Sequence, residues 1–227
     1  MSRRITIGQR FAMTVLVPAF RFFLRVEIKD KENIQDLSTN VIFALNHISE
    51  FDSAVFPCAF DVSSKFFPIY YVAYKRDTYK KLKLIYRIFY FEKLFCSLGV
   101  CPVPAETGLR DYEKILAPHI ALLKKGESVS VFPEGGISRP GKIREPKGGI
   151  IALVKATGLP IVPITLSGHA NTGVKDFLLR RKKATLIFGK PIYPEELFTG
   201  YKNAGPERYS EIAKERVMKK INVLLEK

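Results

Sequence analysis

Short apolar runs alternate along the chain with stretches of helical spacing. Val41-Ile-Phe-Ala-Leu45 is an unbroken apolar run, the pattern of a strand buried on both faces. Residues 66–74 (FFPIYYVAY), Val100–Val103, Ser128–Phe132, Ile161–Thr165 and Ala184–Phe188 read in the same way. Between them the periodicity changes. A helix is predicted from about Asp52 to Phe60, and another over Arg76–Leu98, where Tyr79, Leu82, Ile85, Tyr86 and Phe89 recur at helical intervals. A third spans Thr107–Lys125, bent near Pro118 and capped by Gly126. Gly149–Ala156 predicts a short helix, and residues 207–226 a closing one on Ile212, Val217, Ile221 and Leu224. Strands alternating with helices define a single α/β domain with a largely parallel central sheet flanked by helices. In such sheets ligands bind beyond the carboxyl ends of the strands.

The first 30 residues break this alternation. Arg3, Arg4 and Arg10 precede an apolar segment, Phe11–Ile28, that is interrupted by Arg21, Arg25 and Glu27 and carries Pro18 in its middle. A membrane-spanning helix needs about 20 mostly apolar residues, and charges arrive too early for one here. The pattern predicts an amphipathic, membrane-associating helical segment over residues 1–30, followed by one domain over residues 31–227. A helix packed on the protein's own core fits the same spacing. No secretory signal is visible, because no uninterrupted apolar run ends in a small-residue cleavage site.

Charge narrows the partners. Lys and Arg total 37 against 22 acidic residues, a formal net charge of +15. That balance favours nucleic acid, an anionic membrane surface or a phosphorylated substrate. Basic and aromatic residues interleave over 75–98, as they do at a lipid interface, although a solvated helix face is the alternative there. No zinc-finger spacing or RNA-binding aromatic signature supports nucleic acid. Cys58, Cys96 and Cys101 are odd in number and contain no C-x-x-C pair, which argues against a disulfide scaffold and against a zinc site. Reduced thiols, and hence the cytoplasmic face of a membrane with peripheral or monotopic attachment, are the expectation.

Two constellations could carry chemistry, and both follow predicted strands. In Asn46-His-Ile-Ser-Glu-Phe-Asp52 four residues separate His47 from Asp52. On one continuous helix, positions five apart point about 140° away from each other. They can meet if His47 sits on the strand exit and Asp52 begins the next helix. The carboxylate would then fix the imidazole tautomer, leaving the other ring nitrogen to take a proton. From the spacing alone, a structural histidine beside a helix-capping aspartate is the commoner arrangement. The second constellation is Val131-Phe-Pro-Glu-Gly-Gly-Ile-Ser-Arg139, where paired glycines after a strand bring backbone close to a ligand. Ser138, Arg139, Lys142, Arg144 and Lys147 add donors suited to phosphate, although a basic glycine-rich surface loop reads the same way. No P-loop and no G-x-S-x-G elbow is present. The nearest approach to the elbow, Leu166-Ser-Gly-His169, lacks its strand-turn pattern, and His169 and His119 read as structural or surface residues.

Asn46-His47 to Asp52, Phe132-Pro-Glu-Gly135 and Ile161-Val-Pro-Ile164 occur in the order and rough spacing of the glycerophospholipid acyltransferases, which include 1-acyl-glycerol-3-phosphate acyltransferases. The chain resembles that family from about Val41 to Pro191. The resemblance implies acyl transfer at a membrane, from acyl-CoA or acyl-carrier protein as co-substrate and without a metal or other cofactor, to a lysolipid acceptor. It makes His47 the general base and Asp52 its orienting partner. Glu134, Gly135, Gly136, Ser138, Arg139, Arg144 and Lys147 fall in or beside the block that holds the acceptor, and Val162-Pro163 in a block linked to the donor side. Two departures stand out. Gly136 and Ile137 occupy positions where the family commonly has Thr and Arg, and Gly99-Val-Cys-Pro-Val-Pro-Ala105 lacks the arginine expected after its glycine, Arg110 lying farther on. A phosphate on the acceptor is therefore not implied. A catalytically weak lipid- or carrier-binding module of the same fold is the alternative that these losses motivate.

Overall fold

The computed structural model describes residues 2–37, 40–61, 63–74, 96–104, 111–138, 144–199 and 206–226. Among them seven strands form one sheet: β1 (Glu27–Lys29), β2 (Ile42–Leu45), β3 (Ile69–Tyr74), β4 (Val100–Val103), β5 (Ser128–Val131), β6 (Ile161–Ser167) and β7 (Thr185–Phe188), in the spatial order β1-β7-β6-β2-β5-β3-β4. Every neighbouring pair is parallel except β6 and β7. The expectation of a largely parallel sheet holds.

The helices among the described residues are α1 (Ser2–Phe23), α2 (Asp52–Val55), α3 (Tyr112–Ile115), α4 (Ala117–Lys124), α5 (Gly149–Thr157), α6 (Val174–Leu178), α7 (Pro194–Phe198) and α8 (Pro206–Leu225), with 3₁₀ turns at Lys31–Ile34 and Phe56–Ala59. The predicted helix over Arg76–Leu98 falls almost wholly on residues 75–95, outside the described residues, as does the start of the one over Thr107–Lys125 with Arg110. The remainder of that helix is two pieces, α3 and α4, divided at Leu116 shortly before Pro118.

The central strand β2 explains why the core has two halves. Phe43 and Leu45 point to one face and Ile42 and Ala44 to the other, and all four are fully buried. Phe43 meets Phe56, Phe60 and Phe66 edge-on at centroid distances of 5.2, 5.7 and 5.5 Å, under α1 and α2. Ile42 and Ala44 join Leu123, Ile150, Leu153, Val217 and Ile221 beneath α4, α5 and α8. Fully burying one such side chain stabilises by about 1.5–3 kcal/mol, so each face holds its helices strongly.

The N-terminal segment departs from its reading in one respect. Helix α1 ends at Phe23; Arg25 takes a left-handed conformation (φ 46°) and the chain turns into β1. Ile28 is thus a strand residue paired with Leu186, so residues 1–30 include part of the sheet. A three-residue strand carries too little alternation to be read from sequence. One face of α1 packs on the domain through Met13 and Val17, and Leu24 just past its end joins the same core. Gln9, 4% exposed, accepts from the Ile69 amide at 3.0 Å and donates to the Leu98 carbonyl at 2.9 Å, while Arg21 donates to the Cys58 carbonyl at 2.7 Å. The opposite face exposes Ile7, Phe11, Val15 and Phe22. No described helix is long and apolar enough to cross a membrane.

Candidate active site

Strands β5, β2 and β6 are adjacent and parallel, so their carboxyl ends open on one edge of the sheet. β2 delivers His47, β5 delivers Phe132 to Ser138, and β6 delivers His169. Asn46 sets the first of these exits. It is buried, and its amide clasps Leu166 of β6, donating to the carbonyl at 2.9 Å and accepting from the amide at 2.6 Å.

The turn after His47 folds Asp52 back onto the ring. Asp52 begins α2, and its Oδ2 accepts from the Ile48 amide at 2.7 Å and the Ser49 amide at 3.0 Å. The same oxygen lies 2.7 Å from His47 Nδ1. The other oxygen, Oδ1, lies 2.7 Å from His169 Nε2. Asp52 and His169 are both fully buried. Burial opposes ionisation of Asp52, but the hydrogen bonds from His169 and His47 outweigh it and hold the carboxyl below its usual range. Asp52 is therefore an ionised acceptor between two imidazoles. The His47 ring stacks on Phe132, centroids 4.1 Å apart and planes at 20°, and its side chain keeps 20% exposure. With Nδ1 committed to Asp52, Nε2 is the nitrogen left for a substrate.

The β5 loop braces this arrangement from the other side. Glu134 is 2% exposed; it accepts from the His47 amide at 2.9 Å, from the Arg144 amide at 3.3 Å and from the Ser138 hydroxyl. Burial pushes its carboxyl above the ordinary range, partly offset by the amides of His47 and Arg144. The Ser138 amide donates to the His47 carbonyl at 2.7 Å. Of the residues expected to face the acceptor, Glu134 and Ser138 are thus turned inward, tying the loop to His47. Gly135 and Gly136 make room for cations. A Cβ on Gly135 (φ +63°) would stand 2.6 Å from Lys147 Cε, and one on Gly136 would stand 2.6 Å from Arg144 Nη1. Arg144 is exposed and Lys147 partly so, whereas Arg139 lies outside the described residues.

One contributor is not legible as a site residue: His169 stands just beyond the end of β6, and its only local signal is the Ser-Gly preceding it. Phe132 falls within the second constellation, but its stacking on His47 is not readable from the motif. Burial pushes the Cys58 thiol up to about 12 and the Cys101 thiol to about 11. His119 is buried on α4, with neither ring nitrogen hydrogen-bonded among the described residues.

A buried carboxylate bonded to a partly exposed histidine, at the carboxyl ends of a parallel sheet, is an arrangement that can support base-assisted group transfer. The acyltransferase family model matches residues 25–167, and the chain belongs to that family. Among curated relatives it is similar to the chloroplastic 1-acyl-sn-glycerol-3-phosphate acyltransferase BAT2 of Brassica napus, 29% identical over 75% of this chain and 46% of that one. It is also similar to the 1-acyl-sn-glycerol-3-phosphate acyltransferase of Borreliella burgdorferi, 25% identical over 88% of this chain and 73% of that one. The chain thus spans about half the length of the chloroplast relative. The crystal structure of the 1-acyl-sn-glycerophosphate acyltransferase PlsC from Thermotoga maritima superposes with a TM-score of 0.58 at 18% identity, over 100% of this chain and 97% of that one; this likeness shows the fold.

Proposed function

We propose that the protein moves a fatty acyl group from an acyl thioester, acyl-CoA or acyl-carrier protein, to a hydroxyl of a lysophospholipid or related glycerolipid. The observation that carries this reading is His47, whose Nδ1 is held by ionised Asp52 at 2.7 Å while the ring keeps an open edge. His47 Nε2 takes the acceptor hydroxyl proton as the oxygen bonds to the thioester carbonyl carbon. The carbon–sulfur bond of the resulting tetrahedral species then breaks, and the imidazolium returns its proton to the leaving thiolate. Asp52 stabilises the imidazolium between the two proton transfers, and His169 holds Asp52 in place. Arg144 and Lys147, admitted by the paired glycines, offer positive charge to the developing oxyanion or to an anionic headgroup. No resident cofactor enters this scheme. The acceptor resides in a membrane with an anionic cytoplasmic face, and the outward apolar face of α1 (Ile7, Phe11, Val15) is the first contact with it.

The test is acyl transfer from both donors to lysolipids with and without a free phosphate, using wild type beside His47→Ala. Loss of the base should cost about 10²–10⁴-fold in kcat, or about 3–5 kcal/mol. Undiminished turnover by His47→Ala would falsify the mechanism. Saturable lipid or carrier binding without transfer would favour a binding module instead.

A further inference from the structure

A second apolar surface lies beside the site, on the segment 174–183 (VKDFLLRRKK). Helix α6 follows β6, the strand that delivers His169. Its Phe177 is the inward anchor: the ring packs on Phe20 and Phe23 of α1, with centroids at 5.2 and 4.9 Å, and on Phe51, the neighbour of Asp52, at 5.8 Å. The other apolar side chains of the segment face solvent. Val174, Leu178 and Leu179 are 60%, 57% and 55% exposed, and Phe22 of α1 continues the patch at 55%. Arg180 joins the two elements, its guanidinium 4.1 Å over the Phe22 ring and its Nε donating to the Phe22 carbonyl at 3.1 Å.

The rim of this patch is basic. Lys175, Arg180, Arg181, Lys182 and Lys183 face one acidic residue within the segment, Asp176, which pairs with Arg181 at 3.5 Å; Lys183 reaches Glu27 at 3.1 Å. Apolar side chains that would otherwise be in water, rimmed by cations, match a bilayer carrying anionic lipid: the aliphatic tips enter the acyl boundary while the cations sit among the headgroups.

We propose that segment 174–183 is a lipid-docking element that seats the opening beside His47 on an anionic bilayer. This rests on the proposed function for the source of the acceptor, but the docking itself is measured without turnover. Through Phe177 and Phe51 the element is clamped to the turn that carries Asp52, so docking and site share one rigid unit. It complements the outward face of α1 and fixes which edge of the sheet meets the membrane.

The experiment is co-sedimentation of the full chain with vesicles of phosphatidylcholine alone or with about one-third phosphatidylglycerol. Wild type is compared with Leu178→Ser/Leu179→Ser and with Arg181→Gln/Lys182→Gln. Wild type should prefer the anionic vesicles. The charge variant should lose about tenfold or more of that binding, more steeply at low salt, because each cation near such a surface contributes roughly fivefold. The leucine variant should bind both vesicle types at least about tenfold more weakly than wild type. Circular dichroism and thermal unfolding separate lost docking from lost fold, and transfer to a detergent-dispersed acceptor, where it occurs, should be unchanged in both variants. Wild-type binding by both folded variants would overturn the proposal. A concentration-dependent dimer that Leu178→Ser/Leu179→Ser dissolves would overturn it too, assigning the patch to a second copy of this chain.

Discussion

His169 and His119 are both fully buried, yet they occupy opposite environments. His169, beyond the end of β6, has Nε2 on Asp52 at 2.7 Å and Nδ1 on the Ser167 carbonyl at 3.1 Å. His119, on α4, has no hydrogen bond at either nitrogen among the described residues, although the backbone of Tyr71 and Cys101 lies close. Burial pushes its pKa down to about 4, against the opposing pull of the Tyr71 and Cys101 backbone. A histidine that is merely buried is kept neutral and acts as an awkward apolar side chain. One that is buried against a carboxylate becomes part of a proton-handling network. What separates the two histidines is the partner, not the depth.

Substitutions can sharpen that contrast. His47→Ala, which removes the proposed base, sets the upper end of the scale at about 3–5 kcal/mol of barrier. His119 comes next, and through stability rather than rate. Its folded pKa lies below the unfolded value of about 6.5, so the unfolded chain binds the extra proton and stability falls as pH drops from about 6.5 to about 4. At 1.36 kcal/mol per pH unit this amounts to about 3 kcal/mol. His119→Leu should unfold in urea with markedly less acid sensitivity than wild type, comparing midpoints at neutral pH and near pH 4.5, and should keep full activity. An activity loss without a stability change would place His119 with the site after all.

His169→Leu should leave Asp52 one donor short, an expected cost of about 1–3 kcal/mol that appears in kcat with KM nearly unchanged and with a displaced pH–rate profile. His169→Gln, which keeps a donor, should recover part of the loss. Equal damage from Leu and Gln, with a normal pH profile, would reduce His169 to a packing residue. The smallest effect is expected at Gly136. Alanine there must displace Arg144 Nη1, which flexible side-chain motion allows, so a few-fold rise in KM for phosphate-bearing acceptors is the outcome to look for, with kcat unchanged.

The sequence made one half of this network legible. His47 and Asp52 lie on a single local turn after an apolar strand, so spacing and chain geometry sufficed to bring them together. Glu134 was found for the same reason, as a polar residue leaving a strand. His169 could not be read in this way. Its contact with Asp52 spans 117 residues and depends on β6 lying beside β2, and strand order is a property of the whole sheet. The short helices α6 and α7 and the strand β1 also escaped, since three to five residues are too few to establish a period. For α1 the limit is of another kind: its spacing fits a helix on lipid and a helix on the core alike, and the chain exposes one apolar face while burying another.

The clasp of Asn46 on Leu166 has a consequence for how the protein acquires its activity. That contact closes a loop of 120 residues, and the bond from His169 to Asp52 one of 117. Such closures are entropically expensive and form after local turns and helices. Asp52 can therefore meet His47 early, within its own turn, but the aligned pair is complete only once β6 has docked against β2. During refolding, catalytic competence should return later than helical signal. A fragment that stops before β6 would retain the histidine–aspartate turn without the frame that holds it.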